Sequence, residues 1–138
     1  LVKNSPNGIF GQILSPEFVA GREAIPVADT KEIHTGPATI LSNVSGTEVC
    51  EYTVEITRLY TGSEAAGRSM MLTVTDPRLI EQTGGIVQGM SGSPIIQDGK
   101  LIGAVTHVLI NDPTRGYGLA IEKMLDTVYN STAAKKAA

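Results

Sequence analysis

Residues 89–107 read Gly-Met-Ser-Gly-Ser-Pro-Ile-Ile-Gln-Asp-Gly-Lys-Leu-Ile-Gly-Ala-Val-Thr-His, and their order predicts a turn, a strand, a tight hairpin and a second strand. Pro94-Ile95-Ile96-Gln97 and Lys100 to Val108 flank Asp98-Gly99, a dipeptide that tolerates the positive φ angles of a type I′ turn. Leu101-Ile102-Gly103-Ala104-Val105 is apolar on both faces, as a central, buried strand requires.

The flanking sequence extends the β reading. Across Thr47 to Tyr60, Cys50, Tyr52, Val54 and Ile56 fall on one face and Glu51, Thr53, Glu55 and Thr57 on the other. This is the period-two alternation of a half-buried antiparallel strand. Arg68 to Thr75 repeats it, with Met70, Leu72 and Val74 opposite Ser69, Met71, Thr73 and Thr75. Shorter strands are expected at Gly8–Leu14, Ala24–Ala28 and Pro37–Val44, rich in β-formers and bounded by Gly and Pro. Only the end reads as helix: Ile121, Met124, Leu125 and Val128 recur at i, i+3, i+4 and i+7. The expectation is one all-β domain over residues 1–130, closed by a short C-terminal helix, with a disordered tail at 131–138.

Composition bounds the function. The chain has 138 residues, enough for one domain with a real core. Hydrophobic residues at 41% against 18% charged exclude a disordered chain. A net charge of -3 argues against general nucleic-acid binding, which leans on clustered cations. No apolar run approaches the length of a membrane span, and the first residues lack the pattern of a signal peptide. With one cysteine and two histidines, neither an internal disulfide nor a structural metal site is expected.

The chemistry concentrates in Gly84-Gly85-Ile86-Val87-Gln88-Gly89-Met90-Ser91-Gly92-Ser93-Pro94. In a Gly-x-Ser-Gly-x-Pro turn, the glycine two before the serine can turn its N–H toward the same point as the serine's own N–H. Gly89 and Ser91 would then form an oxyanion hole, each donor worth ~2.7–4 kcal/mol in acyl transfer. Gly92 allows the tight return, and Pro94 starts the next strand without a ladder donor. The bland reading of the same residues is a glycine-rich turn between strands.

The block from Gly89 to His107 resembles the nucleophile region of chymotrypsin-like serine peptidases, departing from Gly-Asp-Ser-Gly-Gly-Pro at Met90 and Ser93. Thr83 to Pro94, Val105 to Val108 and Asn111 to Gly118 together resemble a narrower group, the SpoIVB (stage IV sporulation protein B) peptidases of spore-forming bacteria. The likeness runs from about Gly8 to Leu125 and is most specific from Thr75 onward. It implies a chymotrypsin-like β-barrel, a His, Asp, Ser triad in that chain order, and no cofactor. Its nucleophile carries over to Ser91, and its acid, in a Thr-Asp-x-Arg-Leu stretch, to Asp76. Read from the residues alone, Asp76-Pro77-Arg78-Leu79-Ile80 is a helix N-cap with proline at the first helical position. One carboxylate can serve both ends through different oxygens.

The resemblance places the general base in a Gly-His stretch upstream of the equivalent of Gly8, so the chain is expected to be the C-terminal catalytic part, lacking that segment. His34 reads as a solvent-facing turn residue. His107, sixteen residues after Ser91, reads with Val105 and Thr106 as the wall of the substrate cleft. Cys50 is a buried small hydrophobe, Met70, Met71 and Met90 are filler, and Asn111-Asp112-Pro113-Thr114 is turn chemistry.

The resemblance further implies an endopeptidase that cleaves itself and a membrane-associated regulator in sporulation signalling. It would work outside the cytoplasm, between the two membranes around a developing spore, without inserting into either. Its expected partners are a peptide substrate and the upstream segment. The rival reading is a non-catalytic module, a pseudo-peptidase, that captures an extended peptide along the 105–108 strand by β-augmentation. A third is another bacterial peptidase or scaffold sharing only the barrel.

Overall fold

A computed structural model describes residues 3–18, 21, 23–44, 46, 48–60 and 68–137. Thr47, where the long alternating strand was expected to begin, and Ala138 at the end of the tail lie outside the described residues. Among the described residues, eight strands and two α-helices follow in chain order. The strands are β1 Lys3–Ser5, β2 Gly8–Phe10, β3 Gly36–Ser42, β4 Cys50–Leu59, β5 Met70–Val74, β6 Pro94–Gln97, β7 Lys100–Leu109 and β8 Asp112–Ala120. The helices are α1 Pro77–Thr83, between β5 and β6, and α2 Ile121–Ala137. No described helix is long and apolar enough to cross a membrane.

Six strands close into an antiparallel barrel in the order β3-β4-β5-β8-β7-β6, with β6 paired back to β3. Alternation decides what lies inside. Tyr52, Val54 and Ile56 of β4 point inward with Met70, Leu72 and Val74 of β5, as their period predicts. They meet Ile40, Ile95, Ile102 and Val105, each 1% exposed or less. The β6–β7 hairpin forms as expected, with Asp98 at φ 53 and Gly99 at φ 76.

Three expectations need correction, and one strand lies where none was expected. The strand predicted at Gly8–Leu14 is shorter, β2 ending at Phe10 and pairing with β1 as a separate hairpin. Ala24–Ala28 contributes only an isolated parallel bridge, Val27 to Leu101, because the barrel already closes without it. Residues 112–120, whose Pro113, Gly116 and Gly118 look like breakers, form strand β8. Close packing demands those glycines: a Cβ at Gly116 would lie 2.5 Å from the His107 carbonyl oxygen, and one at Gly118 2.7 Å from Ile95 Cδ1. Finally, the helix continues through residues 131–137, the stretch read as a disordered tail; its Ala and Lys are strong helix formers. Within α2, Val128 is 37% exposed and Thr127 is buried in its place, where Asn7 Nδ2 donates to Thr127 Oγ1 at 3.1 Å and ties the β1–β2 hairpin to the helix.

The tightest contact in the barrel gives a test. A Cβ on Gly103 would lie 2.1 Å from the backbone oxygen of Leu119 on the neighbouring strand, so Gly103→Ala must push β7 and β8 apart. It is expected to lose roughly 1–3 kcal/mol, read as a lower urea midpoint at unchanged slope. Ile95→Ala, which empties a fully buried position, should lose about 2–5 kcal/mol in the same assay.

Candidate active site

The strand registers sort the candidate residues onto two rims. Asp76 follows β5, Ser91 precedes β6, and His107 lies toward the end of β7, so all three emerge at one rim of the barrel. His34 precedes β3 and Asp98 follows β6, which puts them at the other.

The serine turn is pinned from below. Ile86 N–H donates to the Pro113 carbonyl at 2.7 Å, and a Cβ on Gly85 would lie 2.2 Å from that same oxygen. Only glycine lets the chain pass so close to the start of β8. Met90 is buried at 3% exposure and plugs the turn from inside, its N–H donating to the Val87 carbonyl at 3.1 Å and its carbonyl accepting from Ser93 N–H at 3.0 Å. Gly89 at φ 98 and Gly92 at φ 91 bracket the serine. An added Cβ would meet nothing at either position, so glycine is needed there for backbone conformation and not for space. Ser91 is left exposed, and among the described residues neither its N–H nor that of Gly89 has a hydrogen-bond acceptor.

Two backbone bonds hold this turn against β7: Gly92 N–H to the Val105 carbonyl at 2.7 Å, and Val105 N–H to the Ser93 carbonyl at 2.9 Å. One residue further on, the β7–β8 register shifts between Val105 and His107. Such a bulge re-aims the backbone beside it, and here the Ser91 hydroxyl donates to the Thr106 carbonyl at 2.9 Å. Beyond Ala104, whose β6 partner is Pro94, no strand among the described residues pairs with the side of β7 away from β8. Ser91, Gly92, Val105, Thr106 and His107 line one cavity of about 470 Å³. The β1–β2 hairpin from Asn4 to Phe10 forms its opposite wall, with Leu119 and Met124 also lining it. Sequence reasoning found the inner wall but not the outer one, because nothing local says where a short hairpin will lie.

Asp76 does not line that cavity. It is 3% exposed and caps α1: Oδ1 accepts from Arg78 N–H at 2.9 Å and Arg78 Nε at 3.1 Å, and Oδ2 from Arg78 Nη2 at 2.9 Å and Thr53 N–H at 3.1 Å. The Arg78 guanidinium, helped by the two backbone donors, holds the carboxyl well below the usual range although burial pushes the other way. Arg78 also lies over the Tyr52 ring at 5.2 Å from its centroid. Arginine at the second position after the cap was visible in the sequence, but its side chain's return to the capping carboxylate was not.

The remaining candidates have structural partners. His34 is exposed, its Nε2 2.8 Å from Asp98 Oδ2, and that carboxylate first, then the Thr35 carbonyl, raises its pKa. Asp112 accepts from Thr114 N–H at 3.1 Å and from Arg115 Nε at 2.8 Å, as a turn residue does. Cys50 is a half-buried free thiol. Among the described residues, no three His, Cys, Asp or Glu side chains are grouped to hold a metal ion.

The sequence profile of the SpoIVB peptidase family, S55, matches residues 1–125. The chain belongs to that family. Among solved structures it is similar to Rv3671c of M. tuberculosis H37Rv, a serine-to-alanine mutant in its inactive form, at a TM-score of 0.61 and 16% identity. The match covers 82% of this chain and 55% of that one, so this chain spans about half of its neighbour's length. A likeness at that identity speaks to the fold, and the fold of this S55 chain is a chymotrypsin-like β-barrel, as the serine block implied. No curated protein matches the sequence significantly.

The depressed pKa of Asp76 makes a stability prediction. A carboxylate whose folded pKa lies below its unfolded value contributes stability above the unfolded pKa, and that stability is lost as pH falls through the folded one. Asp76→Asn should therefore be most destabilised relative to the parent near neutral pH, with the gap closing below about pH 4. Urea titrations at neutral and acid pH measure it.

Proposed function

We propose that this chain is the serine-bearing part of a serine endopeptidase of the SpoIVB type, with Ser91 as nucleophile and Asp76 as the triad acid. The observation that carries the reading is the turn itself: an exposed serine, held by β7 and bracketed by two left-handed glycines, beside two backbone N–H groups without acceptors among the described residues. Attack by Ser91 Oγ on a peptide carbonyl places negative charge on the carbonyl oxygen, and the Gly89 and Ser91 N–H groups are the donors proposed to receive it. A substrate strand would lie along the unpaired side of β7 between Thr106 and Leu109, with Val105, Thr106 and His107 as cleft wall.

The base must be a group that takes the serine proton and is oriented by the acid. His34 sits at the wrong rim, and His107 has no hydrogen bond to Ser91 among the described residues. We therefore assign the base to a histidine elsewhere in the protein. When it docks, its ring N–H would need a place on the Asp76 carboxylate now taken by Arg78, and Ser91 would turn from the Thr106 carbonyl toward the imidazole. Family membership supports a protein substrate. Self-cleavage, a membrane-associated regulator as target, and action outside the cytoplasm around the developing spore belong to this proposal.

One observation favours the second reading, a non-catalytic peptide-binding barrel: the hydroxyl of Ser91 and all the carboxylate positions of Asp76 are engaged within the chain. Two measurements separate the readings. In the intact protein a fluorophosphonate probe should label Ser91, and Ser91→Ala should abolish labelling and peptide cleavage without changing the melting temperature. Labelling lost in Ser93→Ala instead would move the nucleophile.

The acid and the base are tested together. Asp76→Asn in the intact protein should cut turnover about 10⁴-fold, whereas a capping residue alone would affect only stability, by ~1 kcal/mol. His107→Ala should keep turnover within tenfold. A loss in His107→Ala as large as that in Ser91→Ala would make His107 the base.

A further inference from the structure

The proposed mechanism uses the inner wall of the Ser91 cavity and leaves the rest of its lining without a role. Strand alternation shows what that lining is made of. Val105 and Ala120 belong to the barrel core, so Ala104 and Leu119, next to them in sequence and paired across β7 and β8, point outward. An outward position on a barrel is ordinarily wet, yet Ala104 is 7% and Leu119 1% exposed. Helix α2 packs on this part of β7 and β8, and its Met124 joins Ala104 and Leu119 in lining the cavity.

The β1–β2 hairpin supplies the opposite wall with an aromatic ring. In β2, Ile9 is 74% exposed, whereas Gly8 and Phe10 on either side of it are half-buried. A Cβ built on Gly8 would meet the Phe10 ring at 3.8 Å, so the ring lies along the strand's covered face. Asn7 Nδ2, donating to Thr127 Oγ1 at 3.1 Å, holds the tip of the hairpin on α2. The cavity of about 470 Å³ thus lies between Phe10 on one side and Ala104, Leu119 and Met124 on the other, with Ser91 also in its lining. No Asp, Glu, Lys or Arg among the described residues lines it.

We propose that this cavity is a substrate subsite for an apolar side chain flanking the scissile bond, with Phe10, Leu119 and Met124 as its walls. The inference rests on the peptidase reading and adds a substrate class to it. A strand added to the open side of β7 continues the sheet, so its side chains alternate between the barrel's inward and outward directions. Beside Thr106, an outward side chain enters the space that Ala104 and Leu119 floor and Phe10 faces. Its volume lies within the ~300–1,000 Å³ of pockets that take a ligand. An apolar side chain there leaves water and takes the apolar walls with it, a gain proportional to the area covered. A charged one would lose hydration without a full counter-charge.

The test compares peptides that carry Leu, or the similarly sized but polar Asn, at each position flanking a cleaved bond. They are cut by the intact protein and by its Phe10→Ala and Met124→Gln variants. At one or more positions kcat/KM should favour Leu by at least about tenfold, and the variants should lower that ratio. Because the ratio is taken within one preparation, a partly unfolded variant does not distort it. A fall in either variant supports the subsite. Absence of a Leu preference at every position, or a ratio unchanged in both variants, overturns it. If no peptide is cut, the peptidase reading fails separately, and fluorescence anisotropy of the same labelled peptides decides the subsite. There, tighter Leu binding that weakens in the variants supports it, and equal affinities overturn it.

Discussion

The candidate site depends on a pair of backbone hydrogen bonds between the serine turn and β7, Gly92 to Val105 and Val105 to Ser93. A turn of this composition, free in solution, would sample many conformations, since each glycine adds backbone entropy to lose on folding. Clamped to Val105 of β7, which β8 pairs on its other side, it loses that freedom. The buried Met90 side chain and the Gly85 contact with Pro113 complete the clamp from below. Ser91 is thereby presented by rigid scaffold, which is what positioning a reacting atom requires.

The same economy appears at Asp76. Its four acceptor positions cap a helix, tie that helix to β4 through Thr53, and bind Arg78. Two of these bonds come from the Arg78 guanidinium, whose side chain is 64% exposed and also lies over the Tyr52 ring. The backbone donors of Arg78 and Thr53 and the guanidinium together satisfy the buried carboxylate.

The β-bulge at Thr106 links the two halves of the site. It turns the Thr106 carbonyl toward Ser91 and leaves His107 and Tyr117 side by side on the outer surface. The inner residues of β7 hold the core while its outer residues meet the solvent.

Much of this was legible in the residues. Strict alternation in β4 and β5 encodes which side chains enter the core, because a strand's side chains have only two directions to take. Asp98-Gly99 encodes the hairpin, though not the register shift between Ile95 and Ile96, and the Gly89 to Pro94 run encodes a turn with an exposed serine. Asp76-Pro77 announces a cap locally, so the helix start could be read, although the seven-residue helix α1 was too short to show a period. Strand β8 could not be read, since its glycines look like breaks until Ile95 and the His107 carbonyl are packed against them. Nor could the placing of the β1–β2 hairpin across the Ser91 cavity, or of Arg78 on Asp76. Those contacts join residues far apart in the chain or turn a side chain back on its neighbour. Local propensity and periodicity carry no information about them; barrel closure and strand register decide them.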